Sequence, residues 1–172
     1  GEILAYGKKA KYMVGREPQQ MKVINLLQDG AIADLDATVA YLKYMLSVVN
    51  ELPSRWPRLL KPSAVIGVPS GITTVEKRAV YSAAADAGIG KISLVEEPLA
   101  SALGVGLTVD KPAGNMVIDV GGGTTEMAVV SLGGIVLHRS LTVAGQEMDE
   151  AIINFVRVKY GVLLGTPTAE KI

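Results

Sequence analysis

Cysteine is absent from this 172-residue chain, which excludes a disulfide framework and thiolate metal sites and fits a reducing cytosol. Histidine occurs once, as His138, so no multi-histidine metal site can be built. An excess of one charge is missing as well. Lys plus Arg number 17 and Asp plus Glu number 17, leaving no overall charge to draw the chain to nucleic acid or acidic lipid, and nucleic-acid binding is disfavoured. No apolar run approaches the length of a membrane span, and the amino terminus lacks the basic-then-apolar order of a secretion signal. Low-complexity tracts and clear short-period repeats are lacking too. The expectation is a soluble, folded chain. It opens on Gly1-Glu-Ile-Leu rather than Met and stops at Ala169-Glu-Lys-Ile172 just as a helix begins, so a segment of a longer protein is expected.

What is present is apolar: 49% of residues are hydrophobic, ample for a buried core in one domain or a pair of small ones. The chain is organised around the stretch from Asn115 to Val130. Met116 to Val120 and Glu126 to Val130 are apolar runs of strand type, and Gly121, Gly122, Gly123, Thr124 and Thr125 between them form a turn of backbone and small hydroxyls. Such a turn can aim several N–H groups into one concavity, which is an anion site. Asp119, near the carboxyl end of the first strand, sets a hard carboxylate beside it, where Mg²⁺ held mostly by water and phosphate would sit. Three glycines between strands can equally be a tight hairpin with Asp119 as a polar strand end. A Walker A loop is excluded because no Gly-Lys-Ser/Thr opens a helix here. A Rossmann loop is excluded because Thr124 to Val130 continues as a strand.

Upstream, Lys8 to Val14 has the length of two helical turns closed by Gly15. Met21 to Leu27 and Ala31 to Leu35 flank the turn dipeptide Asp29-Gly30 and predict a hairpin. Asp36 can cap a well-buried helix running to about Asn50. Leu52 to Pro62 breaks regular structure with its prolines and displays Trp56, Leu59 and Leu60 among Arg55, Arg58 and Lys61. Such a loop can lie on a membrane surface or simply cover the core. A short buried strand over Ala64 to Val68 leads to Thr73-Thr-Val-Glu76, a capping box for a helix to about Ala87 and Gly88.

Ile92 to Val95 is a further strand, and Glu96-Glu97-Pro98 opens a helix through Leu103. This alternation predicts a parallel sheet with helical crossovers, whose ligands sit at the carboxyl ends of the strands. Glu96 and Glu97 lie at such an end. Acids there are ordinary helix-dipole partners, but one of them could orient a water for attack on a terminal phosphate. Beyond the glycine turn, Ser131 to Gly134 leads into a strand over Ile135 to Val143, completing an antiparallel meander in which His138 is structural. Gly145 opens a helix with Ile152, Ile153, Phe155, Val156 and Tyr160 on its apolar side, ending at Gly161, and its mouth offers a second anion or metal contact. Thr166 to Ile172 starts another helix.

Strand, Asp-x-Gly-Gly-Gly-Thr, strand resembles the second phosphate motif of the actin, sugar-kinase and heat-shock-chaperone ATPase superfamily. Within it, the chain resembles MreB, the family of rod-shape-determining bacterial actins. The similar stretches are Tyr6 to Lys11 with Gly15 to Pro18, Asp29 to Asp34, Val65 to Thr73, Glu96 to Ala102, Asn115 to Glu126, Ala144 to Ile152 and Gly165 to Glu170, in family order over nearly the whole chain. The resemblance implies an α/β, actin-like (ribonuclease H-like) mixed sheet with flanking helices, present as part of two actin-type domains. Residues 1–113 would be the remainder of the first domain, with a small subdomain near 1–30, and 114–172 the start of the second.

The activity implied is that of an ATPase using ATP and Mg, which polymerises into filaments at the inner face of the cytoplasmic membrane and directs cell-wall elongation with its partner proteins. Residue by residue, Asp119 would hold Mg through water, and Gly121, Gly122, Gly123, Thr124 and Thr125 would cradle the β- and γ-phosphates. Glu97 would position the attacking water, with Thr124 as a second catalytic group. Gly145 and Glu147 would border the nucleotide, Glu170 would face the ribose, and Leu59 and Leu60 would meet the membrane. Gln146 departs from the acidic residue usual in the family. The first phosphate motif, a strand with Asp-x-Gly-Thr, is nowhere in the chain, so this segment is expected to bind ATP weakly or not at all and to be inactive alone. Two alternatives stay open: another ATPase of the superfamily, such as a chaperone or sugar kinase, and a non-hydrolytic actin-like scaffold.

Overall fold

The structure, a computed structural model, describes residues 3–50 and 61–172. Leu59 and Leu60, expected at the membrane, lie outside the described residues.

A short helix, α1 (Lys8–Lys11), opens the chain. It is half the length predicted, and Met13 to Gly15 continue as turns, with Gly15 at a φ of 73°. The predicted hairpin is present but reduced to β1 (Leu27–Gln28) and β2 (Ala31–Ile32), paired antiparallel. Its turn is of the type I′ sort, with Asp29 at φ 50° and Gly30 at 79°, the conformation that suits the twist of a two-residue hairpin.

Helix α2 (Leu35–Asn50) is capped by Asp34 and not by Asp36: the Ala37 N–H donates to Asp34 Oδ1 at 2.9 Å. Asp36 falls in the first turn, where it complements the helix dipole. The helix is also less buried than its sequence predicts. Thr38 is buried, but Tyr44, Met45, Val48 and Val49 are exposed. It packs on the helix that follows it in the chain, and toward solvent the Tyr6 and Tyr44 rings stack with centroids 4.2 Å apart, with Tyr41 tilted beside both.

The βαβ unit is present as predicted. Strands β3 (Ser63–Val68) and β4 (Lys91–Glu96) pair in parallel, with α3 (Thr74–Asp86) as the crossover. The capping box at α3 is complete, with Thr73 and Glu76 each serving the other's backbone N–H. At the other end Gly88 donates to Ala85 and Ile89 to Ala84, closing the helix in the Schellman manner around a glycine at φ 101°. β3 alternates in burial, with Val68 inside and Val65 exposed.

Helix α4 (Glu97–Gly104) starts on Pro98 in its first turn and packs on both β3–β4 and the next sheet, with Pro98 and Ala102 buried. That sheet is the meander β5 (Asn115–Val120), β6 (Thr125–Ser131) and β7 (Gly134–Leu141), antiparallel throughout. One face, carrying Asp119, Glu126, Ala128 and Val130, turns toward α4. On the opposite face Met116, Ile118 and Val120 are exposed. Helix α5 (Gly145–Tyr160) ends on Gly161 at φ 67°. Its inward residues are Ile152, Ile153 and Val156; Phe155 and Tyr160 instead meet edge-on at the surface under Lys159. The short α6 (Thr166–Ala169) closes the chain with Ala169 buried.

Candidate functional site

Parallel β3 and β4 end together, at Val68 and Glu96, so the turn after β3 and the start of α4 emerge side by side. Glu97 leaves from there and lies across β3: a Cβ on Gly67 would stand 3.4 Å from its Cγ. Its carboxyl is pushed above the ordinary 4.5 by burial first, then by the negative charges of Asp119 and Glu126. The three acids therefore face one space, brought there by α4, β5 and β6. Glu96 goes elsewhere, lining a separate cavity of about 380 Å³ with Lys77, Tyr81 and Leu99.

Asp119 is half-buried on β5, and its Oδ2 accepts the Ser101 hydroxyl at 2.6 Å. Ser101 is four residues after Glu97, so one face of α4 supplies both groups. Glu126, directly opposite Asp119 in the β5–β6 register, is 1% exposed. It accepts from the Ser70 N–H at 3.2 Å and from the Ser140 hydroxyl on β7. The sequence reading missed Ser101, Ser70 and Glu126; the usable signal was a charged residue placed by strand pairing on the same face as Asp119.

The glycine loop sits on the start of α5. The Gly145 N–H donates to Gly121 O at 3.1 Å and the Gln146 N–H to Gly122 O at 2.8 Å. Two donors of the helix mouth are thus taken by the loop, so the mouth serves as its seat. Gly145 stands close to the loop, and a Cβ on it would lie 3.4 Å from Gly121 O, in van der Waals contact. Glu147 reaches back to the Ala144 N–H at 2.9 Å, a capping role beside the loop. Within the loop, the Gly121 N–H donates to Thr124 O, and the Thr125 hydroxyl donates to Val143 O. Among the described residues the Gly122, Gly123 and Thr124 N–H groups meet no acceptor. The hairpin tip closes the other side: a Cβ on Gly30 would meet Pro69 Cγ at 2.8 Å and Thr124 Cγ2 at 3.4 Å, and one on Gly123 would meet Asp29 N at 3.4 Å. Glu170, expected to face the ribose, forms an exposed ion pair with Lys11.

Among the described residues no group of three or more His, Asp or Glu side chains could hold a metal directly. The donor set fits a different arrangement. Asp119 keeps one oxygen beyond its Ser101 bond, a hard ligand suited to an ion carried mainly by water and phosphate.

A βαβ unit joined through one helix to an antiparallel meander, with a glycine loop at the junction, is the actin-like arrangement. MamK in its double helical filament shares the fold at a TM-score of 0.74 with 22% identity, over 97% of this chain and 50% of that one. The chain belongs to the MreB/Mbl protein family, whose pattern matches residues 1–172. It is 45% identical over 170 residues to the cell shape-determining protein MreB of Haemophilus influenzae, covering 99% of this chain and 48% of that protein. To the cell shape-determining protein Mbl of Bacillus subtilis it is 41% identical over 172 residues, 100% of this chain and 50% of that one. The structure of MreB5 of Spiroplasma citri bound to ADP superposes with a TM-score of 0.88 at 35% identity, over 98% of this chain and 49% of that chain. The same protein bound to AMPPNP gives 0.87 at 35% identity, over 99% and 50%. The chain thus spans about half the length of the curated relatives it matches.

Proposed function

We propose that the protein to which this chain belongs is an ATP-hydrolysing actin-like filament protein that serves cell-shape determination. One observation carries the reading: Glu97, Asp119 and the N–H groups of Gly122, Gly123 and Thr124, unpartnered among the described residues, are gathered at one junction. The amides and the Gly121 to Thr125 loop would hold the β- and γ-phosphates, as charge-bearing oxygens want oriented donors. Asp119 would orient the water shell of Mg²⁺, which when bound neutralises charge on the phosphates. Glu97, its proton affinity raised, is suited to accept a proton from the water it orients, and the Thr124 hydroxyl would steady that water. The ADP and AMPPNP held by the Spiroplasma relative support the nucleotide class.

Glu97→Ala in the full-length protein tests this. Phosphate release is expected to fall by roughly 10²- to 10⁴-fold with nucleotide still bound. No phosphate release from the wild-type protein would establish a non-hydrolytic scaffold instead, and an unchanged rate in the variant would remove Glu97 from the mechanism.

The two-domain division near residue 113, self-association into filaments, a cytoplasmic place at the inner membrane face and contact with cell-wall elongation proteins belong to the same reading. For the membrane part, Leu59→Ser with Leu60→Ser is expected to reduce sedimentation with anionic vesicles while nucleotide binding stays intact. Undiminished sedimentation would make that loop a cover for the core.

A further inference from the structure

We infer that Glu126 is a positioning residue for this site: its buried carboxylate, held between the Ser70 N–H and the Ser140 hydroxyl, locks the β3–β4–α4 layer bearing Glu97 to the meander bearing Asp119 and the glycine loop. The inference rests on the ATPase reading and deepens it.

The geometry is unusual for a strand residue. Glu126 is among the largest fully buried side chains, yet among the described residues no cation meets it; its partners there are one N–H and one hydroxyl. A buried carboxylate is costly unless its oxygens are satisfied, so both partners are held firmly. They come from opposite sides of the site: Ser70 from the turn that follows β3, and Ser140 from β7. Ser70 is itself 5% exposed and among the described residues its hydroxyl has no partner, so the N–H hydrogen bond to Glu126 is a polar tie of that turn to the meander, beside the packing of Gly71 on the His138 ring of β7. Pro69, beside it, touches the hairpin tip that abuts Thr124. The register places Glu126 opposite Asp119, and α4 packs over both strands.

The charges around Glu97 follow from the packing. Asp119 and Glu126 face it from β5 and β6, β3 offers no charged residue, and β4 offers Glu96 at this end and Lys91 at the far one. Glu126 therefore also adds negative charge next to Glu97 and favours its protonated form.

The test uses the full-length protein with Glu126→Gln, Ser140→Ala and Glu97→Ala, measuring phosphate release against pH together with nucleotide affinity. Glu126→Gln is expected to leave affinity unchanged, lower kcat by about tenfold through misplaced groups, and move the acid limb of the profile to lower pH. Ser140→Ala keeps the charge and loses one anchor, so kcat is expected to fall less and the limb to stay. If Glu126→Gln matches wild type while Glu97→Ala abolishes turnover, the inference fails and the ATPase reading survives. If affinity and melting temperature drop with the limb unmoved, Glu126 is a packing residue only. If Glu126→Gln does not fold, a wild-type kcat in Ser140→Ala overturns the inference. A wild-type protein that releases no phosphate defeats the ATPase reading and this inference with it.

Discussion

The Ser101 hydroxyl, one turn along α4 from Glu97, donates to Asp119 Oδ2 at 2.6 Å. One helix face thus carries the proposed water-orienting acid and the group that fixes the proposed metal-side acid on the neighbouring sheet. Because i and i+4 side chains share a face, a shift of α4 would move both together. The two halves of the site are coupled through that helix before any ligand arrives.

Ser101→Ala leaves Asp119 without this restraint at the cost of one charged-acceptor hydrogen bond, worth roughly 1.5 kcal/mol. In the full-length protein the Mg²⁺ concentration giving half-maximal phosphate release is expected to rise by roughly tenfold, the ratio such an energy corresponds to. An unchanged requirement would mean that Asp119 is held in place by its strand alone.

The raised proton affinity of Glu97 has a consequence for stability whose sign is fixed. A carboxyl that binds protons more tightly when folded favours the native state at pH below its unfolded value near 4.5, and that contribution is lost as pH rises through the folded value. At neutral pH the ionised Glu97 is therefore a burden on the fold. Glu97→Gln is expected to raise the melting temperature at pH 7 and to leave it unchanged below pH about 4, while turnover falls. Melting curves of the full-length variant at the two pH values check this.

Two aspartates compete for the start of α2, and the geometry separates them. Asp34 Oδ1 accepts the Ala37 N–H and its carbonyl accepts the Thr38 hydroxyl, whereas Asp36 sits in the first turn. Asp34→Ala is expected to destabilise the protein by about 1 kcal/mol and Asp36→Ala by roughly 0.3 kcal/mol, read from denaturant midpoints.

This small error at Asp36 is typical of what the sequence conveyed. Elements fixed by local chemistry were legible: the Thr73–Glu76 box, the Asp29-Gly30 turn, Pro98 at the start of α4 and Gly161 at the end of α5 all fall where residue type demands. The glycine turn between two strands was legible for the same reason. What depends on partners was not. The exposure of Tyr44, Val48 and Phe155 is set by what packs on those helices, and periodicity alone does not tell a buried stripe from an open one. Glu126 was read as the first residue of an apolar strand, because its meaning comes from Ser70 and Ser140, 56 and 14 positions away. The seating of the loop on α5 was likewise invisible, since the amides of Gly145 and Gln146 carry no sequence signature.

That seating makes the three glycines unequal. None of them has a positive φ, so the demand for glycine here is a demand for space rather than for backbone freedom. A Cβ at Gly121 would lie 3.1 Å from Thr124 O, a backbone atom held by the Gly121 N–H itself, so the loop has to shift. At Gly122 nothing stands within 4 Å. In the full-length protein Gly121→Ala is expected to weaken nucleotide binding by roughly tenfold or more, since a displaced loop no longer aims its amides together. Gly122→Ala is expected to stay close to wild type if the ligand approaches this loop only through its N–H groups. Calorimetric titration with a non-hydrolysable ATP analogue compares the two, and equal losses would mean that the nucleotide presses on the Gly122 Cα as closely as Thr124 O presses on Gly121.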